Sequence, residues 1–181
     1  MLTEIFVCSL YGAALSEPMP VHGFEWVTDL GILTSDFISK YDENGSIGYI
    51  LEVDVDIPWE IHDATSDYPL LPEHLVINET MISPKSSAMR RRRGYPAKFS
   101  SKKLSPNLYP KTCYVAHIRS LKFALRHGVI ITRVRRAISF NQSPWIRGYV
   151  ELNTKKRREA IDEYEKNLFK LLVIKFSSLY E

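Results

Sequence analysis

The chain has 181 residues, of which 45% are hydrophobic and 12% aromatic, enough to bury a core of one domain or one and a half and to exclude disorder as the default. Its net charge of +3 conceals a division: residues 1–79 hold fifteen acids and one base, Lys40, whereas residues 80–150 hold sixteen lysines and arginines and no acid. That polarity suits a polyanion, because lysine and arginine release condensed counterions when they neutralise phosphates; the plainer alternative is a solvated basic face.

No run approaches the roughly 18 apolar residues of a membrane span, and no basic start leads into an apolar signal core, so an intracellular chain without membrane contact is expected. Cys8 and Cys113 lie far apart in segments that read as strands. This predicts two reduced, buried thiols rather than a disulfide or a zinc site.

Apolar residues are dense from Leu2 to Leu10 and stop at Tyr11-Gly12, which predicts a buried strand ending in a sharp turn. Residues 18–46 mix proline, glycine and acids around Phe24 and Trp26, and they predict a loop-rich connection with one short helix near 33–41. The clearest strand is 47–57, where Ile47, Tyr49, Leu51, Val53, Val55 and Ile57 alternate with Gly48, Ile50, Glu52, Asp54 and Asp56. One face is core and the other largely acidic. Carboxylates are the usual magnesium ligands, but a solvated face accounts for this row more simply. Asn78-Glu79-Thr80 matches a glycosylation acceptor that, without a secretion signal, carries no weight.

From Ile82 to Ser105, serines, prolines, a glycine and the run Arg90, Arg91, Arg92 and Arg93 predict a mobile basic loop. Four consecutive arginines suit phosphate contacts, a nuclear address or a solvated patch alike. A strand at 112–118, a short helix at 119–127 closed by Gly128, and a long strand at 129–140 follow. On the last strand Thr132, Val134, Ile138 and Phe140 are assigned to one face and Arg133 and Arg135 to the other, with Arg136 beside them. These arginines are DNA-contact candidates, since each guanidinium offers a planar fork of donors to a phosphate. Asn153 or Thr154 is placed as the cap of a helix running towards the C-terminus, with Ile161, Tyr164, Leu168, Leu171 and Leu172 as its packing stripe.

Several blocks resemble the family B DNA polymerases of the protein-primed type, as carried by viruses, organellar plasmids and self-synthesising transposons. They are Gly48-Tyr49-Ile50-Leu51-Glu52-Val53-Asp54, then Ile61-His62-Asp63 followed by Asp67-Tyr68-Pro69-Leu70, then Gln142-Ser143-Pro144-Trp145 leading into Glu151-Leu152-Asn153-Thr154. The resemblance implies an α+β fold: a partial polymerase palm, with its first strand and motif in 1–12, a terminal-protein-type insertion in 13–150, and the start of a fingers helix in 151–181. It implies DNA, deoxynucleotides and a terminal protein as partners of the parental enzyme. The parental activity is templated addition of deoxynucleotides to a primer, with two magnesium ions clamping the attacking and leaving oxygens.

Residue by residue, Ser9-Leu10-Tyr11-Gly12 matches the tail of the first palm motif, which implies that Leu10 and Tyr11 lie against the incoming nucleotide. Phe169-Lys170-Leu171 matches the start of the fingers motif and implies that Lys170 grips the triphosphate. Two departures weigh against catalysis. Phe6 stands where the family has a metal-binding aspartate, and Glu4, two residues away, would place a carboxylate about 7 Å off. Val173-Ile174-Lys175 replaces the polar continuation of the second motif, and no third motif precedes Glu181. No catalytic or metal-binding residue is therefore assigned, and no cofactor is expected on this chain. The expectation is a polymerase-derived fragment that binds DNA and is inactive as given; the alternatives are a non-enzymatic nucleic-acid-binding module and a decayed transposon remnant with open strand edges.

Overall fold

The computed structural model describes residues 10–95 and 101–177 and is mixed α+β with an antiparallel sheet. In chain order the elements are α1 (Leu10–Leu15), β1 (Met19–Trp26), α2 (Ser35–Lys40), β2 (Ile47–Asp56), α3 (His62–Thr65), β3 (Glu73–Leu75) and α4 (Pro84–Arg92). Then come β4 (Lys103–Ser105), β5 (Lys111–His117), α5 (Ile118–Arg126), β6 (Ile130–Ser143), α6 (Arg147–Glu159) and α7 (Glu163–Ser177). Two compact units divide the chain: Met1–Leu30, Lys40–Ile50 and Arg136–Glu181 form the first, Gly31–Ser39 and Leu51–Arg135 the second. Strands β2 and β6 contribute to both.

In the first unit the strand order is β1-β6-β2. Strand β1 pairs antiparallel with β6, from Met19 opposite Ser143 to Trp26 opposite Ile138, with register shifts on either side of His22. Gly23 at φ +70° lies inside this irregular stretch, where a left-handed backbone excludes most side chains. Residues 19–26 are thus a strand where proline and glycine predict a loop; the bulges absorb both, as edge strands allow. Beyond β6, Ile146, Val150 and Val173 form a buried cluster joined by Leu15 and Met19, which is how α1, α6 and α7 are held together.

The long C-terminal helix expected from the stripe is two helices. Asp162 Oδ1 accepts the Glu165 amide at 2.8 Å and so caps a new start, while Asn153 and Thr154 lie inside α6. The stripe is not the buried face. Ile161 is 94% and Tyr164 77% exposed, whereas Val173, outside the stripe, is 6% exposed. Tyr11-Gly12, expected as a turn, lies within α1, and so does Leu10, expected to end the strand from Leu2; the rest of that strand falls outside the described residues.

The second unit has strand order β6-β2-β5 and a separate antiparallel pair, β3–β4. Alternation along β2 does what its pattern predicts: Leu51, Val53 and Val55 are buried while Glu52, Asp54 and Asp56 are only part-buried. Leu33, Ile38, Ile118, Leu121, Ala124 and Val129 are among the other main buried apolar residues of this unit. Taking each large side chain out of water contributes about 1.5–3 kcal/mol. Helix α5 begins where His117 Nδ1 accepts the Arg119 amide at 3.2 Å and ends at Gly128, φ +88°. A Cβ on Gly128 would come 2.9 Å from Ile61 Cγ2, so both the turn and the packing require glycine.

The stretch expected as a mobile basic loop contains a helix, α4. Ser83 Oγ accepts the Ser86 amide at 3.2 Å as its N-cap, and Pro84 sits at the first helical position, where a missing N–H costs nothing. The arginines fill its last turn and complement the carbonyl end of the helix dipole. Cys113, expected to be buried, is exposed at φ +53° on β5, a departure from strand geometry that turns it out of the core; Cys8 lies outside the described residues.

Candidate nucleic-acid interface

The acid-free segment is not a uniform basic surface. Lys111 is 2% exposed and Lys122 9%. The Lys111 ammonium spends its three donors on Asn107 O at 3.2 Å, Asn107 Oδ1 at 3.0 Å and Tyr109 O at 2.9 Å. Burial pushes its pKa down, and Glu73 Oε1 at 3.9 Å opposes that shift. These are structural lysines, and the run of bases gives no sign of it.

The α4 arginines are different. Arg91, Arg92 and Arg93 are exposed and Arg90 is half-buried, all within one turn at the end of a capped helix. Helical geometry spreads consecutive side chains around the axis by roughly 100°, so the cluster presents positive charge in several directions. Lys102 and Lys103, also exposed, belong to the same unit.

The arginines of strand β6 have different partners. Arg135 Nε donates to Asp54 Oδ1 at 2.7 Å, and that carboxylate also accepts the Cys113 amide at 2.9 Å. The Arg135 hydrogen bond, then the Cys113 amide, holds the Asp54 carboxyl below its usual pKa, and Arg133 adds a smaller attraction. Arg135 therefore commits its Nε–H to the acidic face of β2, and Asp54 competes with any phosphate for that guanidinium. In the first unit, the Arg136 guanidinium lies 5.7 Å from the ring centroid of Trp26, which is 60% exposed. Arginine over an exposed indole is a cation–π arrangement, and the adjacent Phe24 ring lies 5.6 Å from Phe140.

The residues matched to nucleotide binding lie on helices of the first unit. Tyr11 on α1 is 59% exposed, Lys170 on α7 is exposed, and α1 packs against α7; Leu10 opens α1. A groove of about 360 Å³ runs between α1 and α6, lined by Gly12, Ser16, Thr154, Lys155 and Arg158. Its cations come from α6, so neither Tyr11 nor Lys170 lines it.

Among the described residues nothing gathers the carboxylates that the magnesium ions implied by the polymerase resemblance would need. Phe6 offers no oxygen, Asp54 is committed to Arg135 and Cys113, and among the described residues no three metal-ligating side chains converge.

No protein-family model matches the chain, and comparisons with curated proteins and with solved structures return no match.

Proposed function

We propose that the chain is a DNA-binding piece derived from a family B DNA polymerase of the protein-primed type and that it does not itself catalyse nucleotide addition. The ancestry rests on the ordered sequence blocks. GYILEVD forms β2, and Gln142-Ser143-Pro144-Trp145 closes β6 and leads into α6. A terminal protein, deoxynucleotides and magnesium belong to the parental reading.

The observation that carries DNA binding is the exposed arginine cluster ending α4, set in a segment with no carboxylate of its own. Backbone phosphates are its natural ligand, and phosphate contacts position a protein without reading sequence. The test is binding of a labelled duplex by the chain and by Arg91→Ala/Arg92→Ala/Arg93→Ala. A large loss in the variant supports the reading, and equal affinity of the two proteins contradicts it.

A further inference from the structure

The second unit carries a cavity of about 450 Å³ lined by Trp59 and Tyr109, with Leu75 and Ile82 among its apolar walls and His62 and Asn107 among its polar ones. Both aromatic rings are exposed, Trp59 at 80% and Tyr109 at 54%. Exposed indole and phenol rings around an apolar hollow are costly unless something covers them.

Each ring is held from behind. Pro58 starts the tight turn Trp59–Ile61, and the indole lies 4.9 Å from the His62 ring. That imidazole is pinned in turn, because its Nε2 donates to Ile57 O at 2.9 Å. Tyr109 sits in a loop whose carbonyls take the three donors of buried Lys111. Its amide donates to Asn107 Oδ1 at 3.0 Å, and Asn107 Nδ2 donates to Glu73 Oε1 at 3.0 Å. Burying an ammonium to fix one loop makes sense where the loop must keep its shape before a ligand arrives.

The cavity's surroundings select the ligand. None of its lining residues is a carboxylate. Ile82, in its wall, stands one residue before the Ser83 cap of α4, so Arg91, Arg92 and Arg93 follow roughly 12–15 Å beyond that cap along the helix axis. A chain with an aromatic group seated in the cavity and negative charge at regular intervals would meet both features. The Asn107 amide is already spent on Lys111, Tyr109, Ser105 and Glu73, which leaves that group no capacity to read a base edge.

We infer that the Trp59–Tyr109 cavity receives an unpaired base of single-stranded DNA by stacking, while the α4 arginines hold the adjoining phosphates. This rests on the DNA-binding reading above and deepens it from duplex backbone to single strand. Stacking of this kind tolerates any base, so oligomers of different sequence bind alike.

The test is fluorescence anisotropy with labelled oligothymidylate and with a duplex of the same length, for the unmodified chain, Trp59→Ala, Tyr109→Ala and Trp59→Phe. Circular dichroism verifies that each variant is folded; Trp59 is mostly exposed, so its removal leaves the core intact. Each alanine variant is expected to lose roughly tenfold in single-strand affinity and to keep its duplex affinity and salt dependence, and Trp59→Phe to restore most of the loss. Duplex binding with single-strand affinity unchanged in both alanine variants overturns the cavity proposal and leaves DNA binding standing. Folded protein that binds neither nucleic acid overturns both. Saturation of the cavity by an aromatic peptide, with single-strand affinity unaffected, assigns it to a protein partner and likewise overturns the proposal.

Discussion

Arg135 Nε donates to Asp54 Oδ1 across 2.7 Å, joining the most basic stretch of the chain to its most acidic strand. The ion pair is partly shielded from water: the Arg135 side chain is 36% exposed and that of Asp54 15%. An arginine that reads from sequence as a phosphate ligand is thereby a cross-strand partner of β2. The charge division between 1–79 and 80–150 serves folding in part and does not wholly face an external polyanion.

Asp54 makes stability depend on acid. Its carboxyl titrates lower in the folded chain, chiefly through the Arg135 hydrogen bond, so its contribution is present above the unfolded value near 3.9 and is lost as pH falls through the folded value. Urea unfolding from neutral to acid pH should show Asp54→Asn less stable than the unmodified chain at neutrality. The gap should shrink on acidification. A gap that stays constant across the range contradicts the assignment.

Gly48 should resist substitution. A Cβ there would run into the Phe140 ring edge and the Gln142 side chain, whose Nε2 is held by Tyr41 Oη at 3.0 Å and Gly45 O at 2.8 Å. Gly48→Ala overpacks this corner and should cost about 1–3 kcal/mol in thermal or urea unfolding. Gln142 Oε1 is buried without a hydrogen-bond partner, so the site has no slack to offer. An unchanged unfolding midpoint would show that the ring moves aside freely.

Primer extension should be absent. On the proposed polymerase ancestry Phe6 stands where a metal-binding carboxylate would be required, and positioning and charge stabilisation supply nearly all the catalysis of phosphoryl transfer. Purified chain with magnesium, primed template and deoxynucleotides should give no product, and Phe6→Asp alone should not rescue it. Extension by the unmodified chain contradicts the non-catalytic reading.

Where one physical signal dominated, the sequence was legible. Strict alternation located β2 within a residue, and Gly128 after a short helical run located the end of α5. Helix α4 was missed because it has no apolar stripe: apart from Pro84 and Met89 its residues are serine, alanine and basic side chains, which composition alone assigns to a loop. Its Ser83-Pro84 start was nonetheless a readable signal. The break before α7 also had one, Asp162 three residues before Glu165, hidden under a continuous run of helix formers. The exposure of Cys113 and the burial of Lys111 had no local signal, since both follow from contacts far along the chain or from loop shape. In the candidate interface, the α4 cluster was legible as charge, whereas the engagement of Arg135 by Asp54 required the register of β2 beside β6.

The salt dependence of DNA affinity decides whether the α4 arginines hold backbone phosphates. With about six phosphates neutralised, log K should fall by roughly 5 for each tenfold rise in salt, and Arg91→Ala/Arg92→Ala/Arg93→Ala should reduce that slope by about 3. Arg135→Ala, whose guanidinium is occupied by Asp54, should change it by less than any one of the three. An affinity that does not vary between low and moderate salt, or a slope untouched by removal of the α4 arginines, would contradict the account.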